Sequence, residues 1–176
     1  MNTDRVIFII IGLFTVGILG FIISTSFTNT NQSSESLSAE NVIGTTPRTK
    51  GANIADAKVV LVEFSDFECP ACNSFAPVVA ALANRYSSDL ALVYRHFPLS
   101  NIHAYALPAA RASEAAAMQG KFWEYHDELF LSQPDFSEEQ LVSYAEYVGL
   151  DVDKFKSDMR SKEVAELVSE DVKISS

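Results

Sequence analysis

Apolar and polar positions change their period several times along this chain, and the changes divide it into segments. Val6 to Ile23 is apolar except for glycines and one threonine, which makes about 27 Å of helix against a hydrocarbon core of about 30 Å. Ser24 to about Lys50 is rich in Ser, Thr and Asn with few large apolar side chains, and it reads as a flexible tether. Lys58 to Phe64, Lys-Val-Val-Leu-Val-Glu-Phe, suits a strand buried on both faces of a parallel sheet. The period then turns helical. Phe75, Val78, Val79, Leu82 and Tyr86 form an apolar stripe at i, i+3, i+4, i+7 and i+11, on a helix with Pro70 in its first turn. Leu90 to Phe97 is a second strand, closed by Pro98. Strand, helix, strand makes a βαβ unit.

From His103 onward the pattern stays helical. An Ala-rich helix carries Pro108 near its start and runs toward Gly120, and a second, from about Phe122 to Phe130, turns Phe122, Trp123 and Tyr125 toward a core. Ser137 and Gln140 have capping-box spacing ahead of Leu141, Tyr144, Ala145 and Val148, with Gly149 as the stop. Asp151 can cap a short helix bearing Phe155 and Met159, and a last helix begins near Ser161 with Val164, Leu167 and Val168 on one face.

The first apolar run has two readings. It is long for the apolar core of a cleaved secretory signal, although Ser24-Thr25-Ser26 is a tolerable cleavage site, and an uncleaved anchor is the preferred reading. Arg5 precedes the run and no basic residue follows until Arg48, so residues 1–5 are expected in the cytoplasm and the bulk of the chain outside it. The expected location is the cell membrane, single-pass. The net charge of −10 argues against nucleic acid or anionic lipid as a target. About 125 residues remain past the tether, enough for one core domain.

The chain has two cysteines, Cys69 and Cys72, separated by Pro70 and Ala71 where strand gives way to helix. This places Cys69 at the helix N-cap and Cys72 one turn in. Unpaired N–H groups and the macrodipole there favour a thiolate, so Cys69 is expected to ionise below the free value of about 8.5 and Cys72 to resolve mixed disulfides. Pro70 and Ala71 offer no side chain that would stabilise the thiolate further. A zinc site would need four ligands, and His96, His103 and His126 stand at no metal-ligand spacing from one another. A purely structural disulfide is the other alternative to a redox pair.

These residues resemble the DsbA-like branch of the thioredoxin superfamily, extracytoplasmic thiol:disulfide oxidoreductases, over roughly Gly51 to Val172. The resemblance is carried by Val62-Glu63-Phe64-Ser65-Asp66-Phe67-Glu68-Cys69, by Phe75-Ala76-Pro77, by Tyr94-Arg95-His96-Phe97-Pro98-Leu99 and by Gln119 to His126. It implies an α/β thioredoxin-like fold with a helical domain inserted at about residues 103–176, and it makes Pro77 the helix-kinking proline. In that family the inserted helices lead to a loop with a cis-proline facing the disulfide, then two strands and a closing helix. The sequence ends at Ser176 before these, so residues 51–176 are expected to form an incomplete domain with those strands and that helix missing.

The resemblance also makes Glu63 the acid buried beneath the disulfide, able to accept and return the proton of Cys72. A carboxylate inside an apolar strand is costly, and its pKa should be raised. The alternative is that Glu63 faces solvent on an edge strand or pairs with a basic residue. Asp66 and Glu68 read as surface charge, and the histidines as ordinary polar or packing residues.

The implied activity is disulfide formation in exported proteins, whose thiols are the substrates, with a membrane quinone-linked thiol oxidase of DsbB type as candidate reoxidant and no cofactor. Reductase or isomerase work is the nearby variant. A non-enzymatic alternative is a tethered Cu(I) binder using both thiolates and a histidine.

Overall fold

The computed structural model describes residues 42–175. The apolar run at 6–23 and most of the proposed tether therefore lie outside the described residues. Among the described residues no helix is long and apolar enough to cross a membrane.

Three strands form one sheet in the order β1-β3-β2, with β1 at Arg48–Gly51, β2 at Val59–Ser65 and β3 at Leu90–His96. β2 and β3 run parallel, Val59 opposite Leu90 and Ser65 opposite His96, joined by helix α1 at Pro70–Arg85. This is the expected βαβ unit. β1 lies antiparallel on the other side of β3, Arg48 opposite Tyr94.

β1 falls within the stretch read as tether, because Arg-Thr-Lys-Gly carries no apolar side chain. Its partners are supplied from elsewhere. Trp123 Nε1 donates to Thr49 O at 2.7 Å, Arg48 pairs with Glu114, and the Lys50 ammonium sits 5.3 Å from the Trp123 ring centre. Gly51 has φ +91°, and a Cβ there would meet Leu90 O at 2.5 Å, so the strand end admits only glycine.

β2 differs from its expectation. It is half-buried rather than covered on both faces, and Val59 is exposed. β2 is the edge of the described sheet and one of its faces opens on a groove. The stripe on α1 likewise points outward: Phe75 is 65 % and Val78 53 % exposed, and Ala83 is the helix's one buried residue.

Helices α2 (Ala106–Ala117), α3 (Phe122–Leu131), α4 (Glu138–Tyr147), α5 (Val152–Met159) and α6 (Lys162–Ile174) follow β3. Ala109, Ala112, Ala115 and Ala116 of α2 are fully buried, and their small side chains let neighbouring helices close around Tyr125, Leu129, Leu141 and Phe155. The caps expected at Ser137 and Asp151 form, their side chains accepting from the backbone N–H of Gln140 and Lys154, and at the start of the last helix Ser161 accepts likewise from Val164. Gly149, with φ +76°, ends the turn after α4. The described residues thus form an α/β arrangement, a three-stranded sheet with one crossover helix followed by a run of five helices.

Behind β3, a buried charge cluster joins sheet and helices. Glu114 of α2 accepts from Arg48 and His96, while Asp171 of α6 pairs with Arg95 at 2.8 Å and accepts from the His96 N–H at 2.7 Å.

Candidate active site

The turn from β2 into α1 is held by side chains on both flanks. Asp66 is 2 % exposed, not the surface charge expected of it. Its carboxylate accepts from the Glu68 N–H at 2.8 Å, the Leu99 N–H at 2.9 Å and His103 Nδ1 at 2.7 Å. Three local and non-local donors explain why a charge is buried here. Glu68 in turn accepts from the Tyr105 N–H at 2.6 Å. Phe67 is buried and stacks on Tyr94 with ring centres 5.3 Å apart.

Cys69 is the N-cap of α1, with extended dihedrals of φ −77° and ψ 120°, and Pro70 fills the first helical position. The Asn73 N–H closes the first turn on Cys69 O at 3.0 Å. No side-chain hydrogen bond caps this end, so no capping side chain takes up the first-turn N–H groups. Both cysteines are free thiols and both are half-buried. Burial pushes the Cys72 thiol above its ordinary value, and Cys69 beside it adds to the rise. The Ser65 hydroxyl and the Asp66 backbone pull the other way.

Glu63 and Cys72 line one groove of about 360 Å³ between β2 and α1, together with Leu61, Phe64, Phe75 and Val79. Burial raises the Glu63 carboxyl, opposed in part by the charge of His126 and by Ser65. Glu63 is thus half-buried on an edge strand, and the structure brings it to the side of Cys72 where sequence reasoning wanted an acid.

Two contributors escape the sequence. Gln133, in the loop after α3, donates from Nε2 to Phe67 O at 2.6 Å and accepts from Asn73 Nδ2 at 3.0 Å. One amide thereby ties the residues on either side of the motif to the helical insertion. The Gln133–Pro134 bond is cis. Ser65, beside both Glu63 and Cys72, is the second. Neither type of residue announces such a role by spacing. Of the histidines, His96 and His126 are buried and His103 holds Asp66. Among the described residues no three His, Cys, Asp or Glu side chains converge as a metal site requires.

A family model described as thioredoxin matches residues 45–175. A thioredoxin-like oxidoreductase from Silicibacter pomeroyi superposes with a TM-score of 0.70 at 27 % identity, covering 78 % of each chain. The thiol-disulfide exchange protein alpha-DsbA2 from Wolbachia pipientis gives 0.68 at 18 %, over 76 % of this chain and 71 % of that one. BdbD from Bacillus subtilis gives 0.63 at 23 %, over 73 % of each. In sequence, the chain is 45 % identical over 118 residues to Na(+)/H(+) antiporter NhaA 1 of Mycolicibacterium vanbaalenii, 66 % of this chain and 19 % of the relative. The chain thus spans about a fifth of the length of the curated relatives it matches.

Proposed function

Because this chain belongs to the thioredoxin superfamily, with DsbA-like thiol-disulfide oxidoreductases among its structural neighbours, we propose that it exchanges disulfides with thiols of exported proteins through Cys69 and Cys72. The observation that carries the reading is the uncapped start of α1, which presents Cys69 to negative-charge-favouring dipoles while Cys72 waits half-buried beside Glu63. A substrate thiolate attacks Cys69 Sγ of the disulfide, and Cys72 leaves as the reduced partner. A second substrate thiol then displaces Cys69, and the substrate leaves oxidised. Glu63 takes and returns the Cys72 proton. Net oxidation is the direction proposed, with a quinone-linked membrane thiol oxidase as the acceptor of electrons. The apolar run at 6–23 would hold the domain at the outer side of the cell membrane, where cysteines can cycle. Ion transport is not carried over from the antiporter relatives.

The test is oxidation of a reduced disulfide protein by the full chain. Cys69→Ser abolishes exchange, and Cys72→Ser accumulates a mixed disulfide through Cys69. Turnover by the Cys69→Ser chain would sink the reading. A midpoint potential near about −270 mV would favour the reductase variant instead. Extraction by alkaline carbonate, which releases peripheral but not spanning proteins, tests the anchor.

A further inference from the structure

Glu63 has a second neighbour, on the side away from the thiols. A small cavity, with about 10 Å³ open to a water's centre, is lined by Glu63, His126, Asp127 and Lys50 and walled by Trp123 and Val79. That is room for about one water. Glu63 and Val79 line both this cavity and the groove of Cys72, and of the two only Glu63 can carry a proton. His126 is 7 % exposed, its ring set edge-on against Tyr94 and Phe130 with centres 5.0 Å away in each case. Its Nδ1 lies 2.8 Å from Asp127 Oδ1, while its Nε2 is buried without a hydrogen-bond partner. The Asp127 carboxylate accepts from Nδ1, which leaves Nε2 as the ring position free to take up or give back a proton. An unpartnered buried ring nitrogen costs free energy that packing alone does not demand.

We propose that His126 is the outlet for the proton leaving Cys72, receiving it through Glu63 across this cavity while Asp127 holds the ring. The inference rests on the exchange reading above. When Cys72 resolves a mixed disulfide, its Sγ bonds to Cys69 Sγ, the bond from Cys69 to the substrate sulfur breaks, and the electron pair leaves on that sulfur. The Cys72 proton passes to the Glu63 carboxylate and thence to His126 Nε2, giving an imidazolium paired with Asp127. Reduction of the pair runs the same path backward. His126 acts through Glu63 and is a positioning residue for the proton, not one that touches substrate. The charged and titratable groups around it are Lys50 from β1, Glu63 from β2, Tyr94 from β3 and Asp127 on its own helix; α1 contributes Ala76, Val79 and Ala80. Asp127 and Lys50 form a pair at 3.7 Å that opens to solvent, so the path ends outside.

The experiment follows release of a coloured aryl thiolate from an aryl disulfide on Cys69 of the full chain, a direct readout of Cys72 attack, as a function of pH. His126→Gln keeps a polar side chain but cannot titrate; it is expected to slow release several-fold and flatten the profile, and to add nothing in a Glu63→Gln background. A profile superimposable on the parent's, or an equal slowing with and without Glu63, overturns the proposal. Ring titration of His126 by NMR in the unsubstituted chain guards against a variant that does not fold. Its midpoint is expected to differ between the dithiol and the disulfide forms, and an unchanged midpoint overturns the proposal. Failure of the parent chain to release thiolate at all would instead strike the exchange reading, since the ring titration needs no turnover.

Discussion

The two sides of this domain are built to different standards. Helices α2 to α6 close on one another through fully buried alanines and aromatics, whereas α1 buries only Ala83 and leaves Phe75, Val78 and Leu82, with Tyr86 at its C-cap, open alongside the half-buried edge strand β2. Cys69 and Cys72 lie on the seam, with Gln133 holding the flanking Phe67 and Asn73 from the packed side and the open groove beneath Cys72 on the other. The exchange proposed above needs an accessible thiol, and the precision of its placement can come from a rigid neighbour.

The comparison predicts unequal costs for equal truncations. Phe155→Ala removes a ring with no exposure and is expected to destabilise by about 3–5 kcal/mol, while Phe75→Ala, on a side chain 65 % exposed, stays within about 0.5 kcal/mol. Urea titration of both variants measures the difference. Similar losses at the two sites would erase the distinction between packed and open sides.

The packed side also carries the acid sensitivity. Burial alone would raise the Glu114 carboxyl, but hydrogen bonds from His96 and Arg48, and their charges, bring it to about 2 from 4.5. A carboxyl lowered on folding stabilises fully above the unfolded value, and loses that contribution as pH falls through the folded one. The Glu114 share, on the order of 3 kcal/mol, therefore disappears between about pH 4.5 and 2. Burial pushes the Asp171 carboxyl the other way, against the pull of His96 and Arg95, so its share grows as pH falls and softens the slope. Glu114→Gln is expected to lower stability at neutral pH and flatten this acid limb, read by thermal melting across the window.

How much of this the sequence disclosed follows the range of the interactions. Ser137, Asp151 and Ser161 cap their helices through N–H groups three residues away, so local chemistry suffices to place them. Cys69 and Pro70 are legible for the same reason. β1 is not, because its strand is made by β3, Trp123 and Glu114, and nothing in Arg-Thr-Lys-Gly anticipates them. Asp66 looks like surface charge until Leu99 and His103, more than thirty residues on, arrive to satisfy it. Gln133 is the same case at a greater separation. A capping change tests the local class directly: Ser161→Ala should cost about 1 kcal/mol, far less than emptying the core beside it.

The smallest effect on stability is expected where the open side is made polar. Val78 is 53 % exposed and lies with Leu82 on a shallow surface along α1, so Val78→Lys displaces no packed atom and puts an ammonium into water. Stability should shift by no more than about 0.5 kcal/mol. The gain is in solution behaviour, because a contiguous apolar face invites association and one charge at its centre breaks its continuity. Sedimentation of the full chain and of the variant over a range of concentrations measures this. Reduced self-association at unchanged stability fits a face that carries no internal load, whereas a loss comparable to Phe155→Ala would show that α1 is packed after all.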